Sequence, residues 1–102
     1  MEEWSKHELT EKLAEQETVF LYLYTPLCGT CQLAGKMLSV VDEMLPETVI
    51  AKADMNYLSD WAEQWKVESV PCLLTFKKGQ PSGKIYAFHS VPYLLDYMNN
   101  SR

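Results

Sequence analysis

The chain has 102 residues, 47% of them hydrophobic, enough for one continuous core and too few for two. Nine Lys and Arg against fourteen Asp and Glu give a formal net charge of -5, which repels nucleic acid and anionic membranes, and the basic residues do not cluster to offset it. No run reaches the roughly 18 apolar residues of a membrane span. The opening "MEEWSKHELTEK" is acidic where a secretion signal is basic and then apolar, so a single cytoplasmic domain over residues 1–102 is expected.

Ser5 followed by Glu8 has capping-box spacing, and Leu9 and Leu13 continue at helical period, which predicts a first helix from Ser5 to Gln16. "VFLYLYT", residues 19 to 25, is a continuous apolar run of the kind that fills a strand buried on both faces. Beyond it, Leu33, Met37, Val41, Met44 and Leu45 recur at three- and four-residue steps until Pro46, predicting a long helix with one buried face. "TVIAKAD", residues 48 to 54, reads as a second strand, and Leu58, Trp61, Ala62 and Trp65 as a short helix whose aromatics join the core. "CLLTFK" (72 to 77) and "KIYAFH" (84 to 89) read as an antiparallel hairpin joined by the turn "KGQPSG". Ser90 caps a last helix in which Val91, Leu94, Leu95 and Met98 share a face.

The order α, β, α, β, α, β, β, α implies an α/β fold with a central mixed four-stranded sheet flanked by four helices, the first strand near its middle. Catalytic groups of such sheets gather beyond the C-terminal edge of the strands. Cys28 lies there.

Cys28 and Cys31 stand three residues apart, between the apolar strand and the long helix. A helix N-terminus supplies unpaired N–H groups and partial positive charge that favour a thiolate, more so at Cys28 than one turn deeper at Cys31. Thiol–disulfide exchange follows, with Cys28 as exposed nucleophile and Cys31 as resolving thiol. Gly29 lets backbone approach a substrate, and the Thr30 hydroxyl can reach the sulfurs. Two alternatives remain. A zinc site would need four ligands, for which only Cys72, His7 and His89 remain, at spacings unlike a knuckle or ribbon; the other alternative is a pair of inert structural thiols. No metal is assigned.

With these residues in view, the sequence resembles the thioredoxin family over most of its length. "VFLYLYTPLCGTCQLAGKMLSVV" is similar to that family's strand, C-G-P-C motif and helix, "VIAKADMN" to its next strand, and "WKVESVPCLLTFKKGQ" to the segment with its cis-proline and hairpin. The resemblance implies a thioredoxin fold, with the family's N-terminal strand absent or reduced to Met1 to Trp4. It further implies a cis Pro71 facing the disulfide, with the Val70 backbone pairing to an incoming chain. A strand-start proline is the plainer reading of Pro71.

Departures from the pattern bear on mechanism. Tyr22 stands where the family keeps a buried Asp that helps deprotonate the resolving cysteine, and a phenol is a poor base at neutral pH. Lys52, the family's partner to that Asp, is expected to be unpaired or to meet Tyr22. Thr30 replaces the motif proline, Leu27 an aromatic before the motif, Tyr24 a tryptophan, and Lys36 a helix-kinking proline beside Gly35. Losing the ring at position 30 is expected to make the couple less reducing than a C-G-P-C protein. Cys72 is read as a buried small hydrophobe, with a third redox or cluster ligand as the sharper alternative. His7 and His89 are read as surface histidines.

The function expected is thioredoxin-like reduction of protein disulfides, without a bound cofactor, recharged by a thioredoxin-reductase-type or low-molecular-weight thiol donor. The alternative is a non-catalytic redox sensor or metal- or iron-sulfur-binding module. No nucleic-acid or membrane partner is expected, and the acidic surface without an obvious exposed apolar helix favours a monomer.

Overall fold

In the computed structural model, which describes residues 1–102, the elements are β1 (Glu2–Glu3), α1 (Lys6–Glu15), β2 (Thr18–Tyr24), α2 (Gly29–Met44), β3 (Ile50–Asp54), a 3-10 turn (Met55–Tyr57), α3 (Ser59–Gln64), β4 (Cys72–Lys77), β5 (Gln80–Ile85) and α4 (Val91–Asn100). One mixed sheet has the strand order β1-β3-β2-β4-β5. The apolar run from Val19 to Leu23 is buried throughout, which puts β2 in the centre. It pairs parallel with β3 (Tyr22 opposite Lys52) and antiparallel with β4 (Leu23 opposite Cys72).

Because strand side chains alternate, β2 feeds two cores. Val19, Leu21 and Leu23 meet Leu9 and Leu13 of α1 and Leu58 on one face, while Phe20 and Tyr22 meet Ala34 and Leu38 of α2 and Leu94 and Met98 of α4 on the other. Trp61 and Trp65 cover the first core edge to face, with ring centroids 5.3 Å apart. The capping box at Ser5 and Glu8 starts α1, and the Ser90 hydroxyl accepts from the Tyr93 N–H at 3.2 Å to start α4.

Three expectations need correction. The sheet has five strands, not four, since Glu2 and Glu3 pair parallel with Ala51 and Lys52, and the Trp4 N–H continues the ladder to the Lys52 carbonyl at 2.9 Å. This strand is indeed the reduced form that the resemblance allows, held by backbone pairing and by the buried Trp4. The fourth strand of the sequence reading begins four residues earlier: Lys78 and Gly79, with φ of 52° and 80°, form the whole turn, as a two-residue hairpin requires. Pro81 and Gly83 then sit in the strand itself, which is tolerable because β5 is a sheet edge. Lastly, α2 buries Cys31, Ala34, Leu38 and Val41, whereas Leu33 and Met44, assigned to its buried face, are exposed.

Candidate redox site

The chain leaves β2 at Tyr24, crosses Thr25 to Leu27, and enters α2 with Cys28 as the N-cap. There the Cys28 sulfur accepts the Cys31 N–H at 3.2 Å, sharing it with the Cys28 carbonyl oxygen, a role that serine or aspartate side-chain oxygens usually play. Cys28 and Cys31 are joined as a disulfide, their Cα atoms 5.2 Å apart. Cys28 is half-buried and Cys31 is 3% exposed, so the first cysteine is the more accessible of the two. The Thr30 hydroxyl lies 3.3 Å from the Cys28 sulfur.

Across the fold, Val70 and Pro71 approach just before β4. Their peptide bond is cis, and the Val70 carbonyl oxygen lies 3.9 Å from the Cys28 sulfur. Gly29 is exposed, and no heavy atom lies within 4 Å of where a Cβ would stand, so the ground beside the disulfide is open. Leu27, 98% exposed, forms an apolar rim.

Beneath the pair, the Tyr22 hydroxyl donates to the Cys31 carbonyl oxygen. That carbonyl belongs to the first turn of α2, so the bond ties the helix start to the central strand. Burial pushes the Tyr22 phenol up to about 12. Gly35 lies against the ring, where an added Cβ would stand at an ordinary contact distance of 3.5 Å. Tyr24 stacks on Tyr22 at 5.7 Å and donates to Glu3 at 2.5 Å; burial first, and then that bond, raise its phenol beyond the ordinary tyrosine range. A cleft of about 640 Å³ runs beside these groups, lined by Cys31, Gln32, Lys36 and Lys52 among others.

With this geometry in place, the sequence model of the thioredoxin family matches residues 1–100. The chain belongs to the thioredoxin family. It is 50% identical over 96 residues to the thioredoxin-like protein YusE of Bacillus subtilis, a match covering 94% of this chain and 89% of that protein. Thioredoxin-1 of Saccharomyces cerevisiae is 30% identical over 78 residues, 76% of each chain. Among solved structures, a mutant thioredoxin from Halobacterium salinarum superposes with a TM-score of 0.85 at 21% identity, over 97% of this chain and 88% of that one. The oxidised thioredoxin of Plasmodium falciparum gives 0.84 at 17% identity, over 99% and 97%. Family membership, together with a Cys28–Cys31 pair at bonding distance, makes the chain a thiol–disulfide oxidoreductase.

The thioredoxin site of this chain thus gathers Cys28, Cys31, Gly29, Thr30, Val70 and Pro71 at one end of the sheet, with Tyr22 directly below. Lys52 stands opposite Tyr22 in the strand register, but its ammonium lies 5.8 Å over the ring of Tyr24 rather than on the Tyr22 hydroxyl. Cys72 is fully buried in the core on the other face, and burial raises its thiol to about 12, which fits the small-hydrophobe reading. His7 is surface-exposed and pairs with Glu11 at 3.1 Å, while His89 packs on Tyr93. Sequence reasoning missed that Gly35 lies beside the Tyr22 ring and that Glu3 holds Tyr24. A glycine one helical turn past Cys31 was the available signal for the first; nothing pointed to the second.

Proposed function

We propose that this thioredoxin-family chain is a reductase of protein disulfides, built as one domain and working in the cytoplasm. The observation that carries this reading is Cys28: a half-buried residue whose sulfur accepts the Cys31 N–H at the start of α2, with the Val70 carbonyl oxygen 3.9 Å away and open space at Gly29. An extended substrate chain can pair with the Val70 backbone and place its disulfide against that sulfur, with Pro71 and Thr30 shaping the walls.

In the reduced protein, the Cys28 thiolate attacks one sulfur of the substrate disulfide. A Cys28–substrate disulfide forms and the other substrate sulfur leaves as a thiolate. Cys31, as a thiolate, then attacks the Cys28 sulfur, closing the internal disulfide and releasing the second substrate sulfur. Two electrons pass to the substrate, and the two dithiol protons end on its thiols by way of water. Recovery takes two electrons from a thioredoxin-reductase-type enzyme or a low-molecular-weight thiol. Tyr22 supports the step by fixing the carbonyl of Cys31, and Lys52 by packing its ammonium over the ring of Tyr24 that stacks on Tyr22. Every group belongs to one copy, so a monomer is chemically sufficient.

The test is reduction of a protein disulfide such as insulin's, with dithiothreitol as donor. Turnover by the native chain and none by Cys28→Ser is expected; an inactive native chain would reject the reading. Cys31→Ser should accumulate mixed disulfides with protein substrates.

A further inference from the structure

The outer side of α2 carries a second apolar stripe. Leu33, Met37, Val40 and Met44 are spaced four, three and four residues apart. At 3.6 residues per turn this keeps all four within about 60° of one another, on a line well away from the core face of Cys31, Ala34, Leu38 and Val41. Leu33 is 63% exposed, Val40 46% and Met44 55%, while Met37 is half-buried. Alternating steps of four and three are the spacing of a two-helix seam; Met37 leans partly on the core, while Leu33, Val40 and Met44 stay exposed.

Charge says what covers it. Lys36 and Glu43 border the stripe on the same side, seven residues apart; both are exposed and neither takes part in an ion pair. An antiparallel copy of the same helix sets Leu33 on Met44, Met37 on Val40 and Lys36 on Glu43, and two-fold symmetry repeats each pair. The stripe is therefore complementary to itself in shape and in sign. A chain of net charge -5 repels its own kind in general, and this edge carries the pair that locally reverses the repulsion.

We propose that α2 pairs antiparallel with α2 of a second copy of this chain, through Leu33, Met37, Val40 and Met44 with reciprocal Lys36–Glu43 pairs. The seam is about 17 Å long at the helical rise of 1.5 Å per residue. Its area falls short of the ~800 Å² per partner of a standard interface, so the dimer is weak and reversible, dissociating between about 1 µM and 1 mM. The monomer expectation rested on the acidic surface and on there being no obvious exposed apolar helix, and α2 does not meet the second premise. The pairing stands on the surface of α2 alone and holds whether or not the disulfide reading does.

Sedimentation velocity of the full chain, kept reduced so that no intermolecular disulfide forms, tests it from about 10 µM to about 1 mM. The native chain is expected to shift from monomer to dimer with concentration. Lys36→Glu and Glu43→Lys each set like charges across the seam and should weaken self-association about tenfold. An equimolar mixture of these two variants should recover it, since each Glu of one then faces a Lys of the other, and the double variant should recover it alone. Leu33→Glu should abolish it while circular dichroism stays native. A chain that remains monomeric at the highest concentration, a dimer indifferent to Leu33→Glu, or a mixture that fails to recover would each overturn the proposal, the first pointing to a different protein as the occupant of the stripe.

Discussion

Cys31 and Cys72 are withdrawn from solvent to nearly the same degree, 3% and 0% exposed, and yet they occupy opposite chemical situations. Cys31 lies in the first turn of a helix, bonded to a half-exposed Cys28, with its carbonyl held by Tyr22. Cys72 lies in the sheet opposite Leu23, within the apolar core on the other face. A buried thiol is therefore neither reactive nor inert by burial alone. What separates the two is a neighbouring sulfur and a set of backbone N–H groups that welcome negative charge.

The comparison can be broken most severely at the pair itself. Cys28→Ser should drop disulfide exchange to background, whereas Cys72→Ala should leave the rate within about twofold and cost stability of about 1 kcal/mol for the lost packing. A reduced native protein that alkylates at Cys72 as fast as at Cys28 would erase the contrast.

The next effect is on the strand that serves both regions. Leu21→Ala, in the Cys72 core, should lower the unfolding free energy by about 2–5 kcal/mol in urea titrations, because β2 is covered on both faces. Exchange measured well below the unfolding transition should be nearly unchanged.

Alkaline pH sharpens the contrast differently. The fold holds the Cys72 thiol at about 12 against an ordinary 9.0, and the Tyr22 phenol at about 12 against 10.0, so both are favoured in their neutral forms. Their stabilising contribution is complete below the ordinary values and is lost as pH rises through the folded ones. Thermal stability should thus hold to about pH 9 and decline toward pH 12, less steeply in Cys72→Ala. Equal slopes in the two proteins would deny Cys72 its share.

Smaller effects belong to the Cys31 side. Tyr22→Phe removes the bond to the Cys31 carbonyl and should cost about 1 kcal/mol of stability, measured by urea denaturation. Thr30→Pro should make the couple more reducing by on the order of 30 mV, or roughly 1.4 kcal/mol, in a titration against dithiothreitol. An unchanged or more oxidising potential would free Thr30 of that role.

Much of this was legible in the chain. The unbroken apolar run from Val19 to Leu23 could only be a central strand, Ser5 and Ser90 announced their helices, and two cysteines between strand and helix marked the site. What escaped notice escaped for physical reasons. Glu2 and Glu3 form β1 by backbone pairing next to the buried Trp4, and their own exposed side chains leave no alternating hydrophobic trace. The two-residue turn at Lys78 and Gly79 depends on positive φ, which Pro81 and Gly83 obscured by looking like stronger turn residues. In α2, apolar residues follow two phases at once, and periodicity cannot say which phase faces inward. Leu33 and Met44 were therefore read with the core that Leu38 and Val41 occupy.

The tyrosine beneath the disulfide has a consequence for proton economy. Burial pushes the Tyr22 phenol up to about 12, which keeps it neutral at physiological pH and unsuited to take a proton from Cys31. Under the proposed mechanism, Tyr22 is then no base for Cys31 as the resolving thiol. Each turnover must trade protons with the medium, and the cleft that Cys31 shares with Gln32, Lys36 and Lys52 supplies a short aqueous route. Exchange under the proposed mechanism is therefore expected to depend on the external buffer, which becomes, in effect, a reactant.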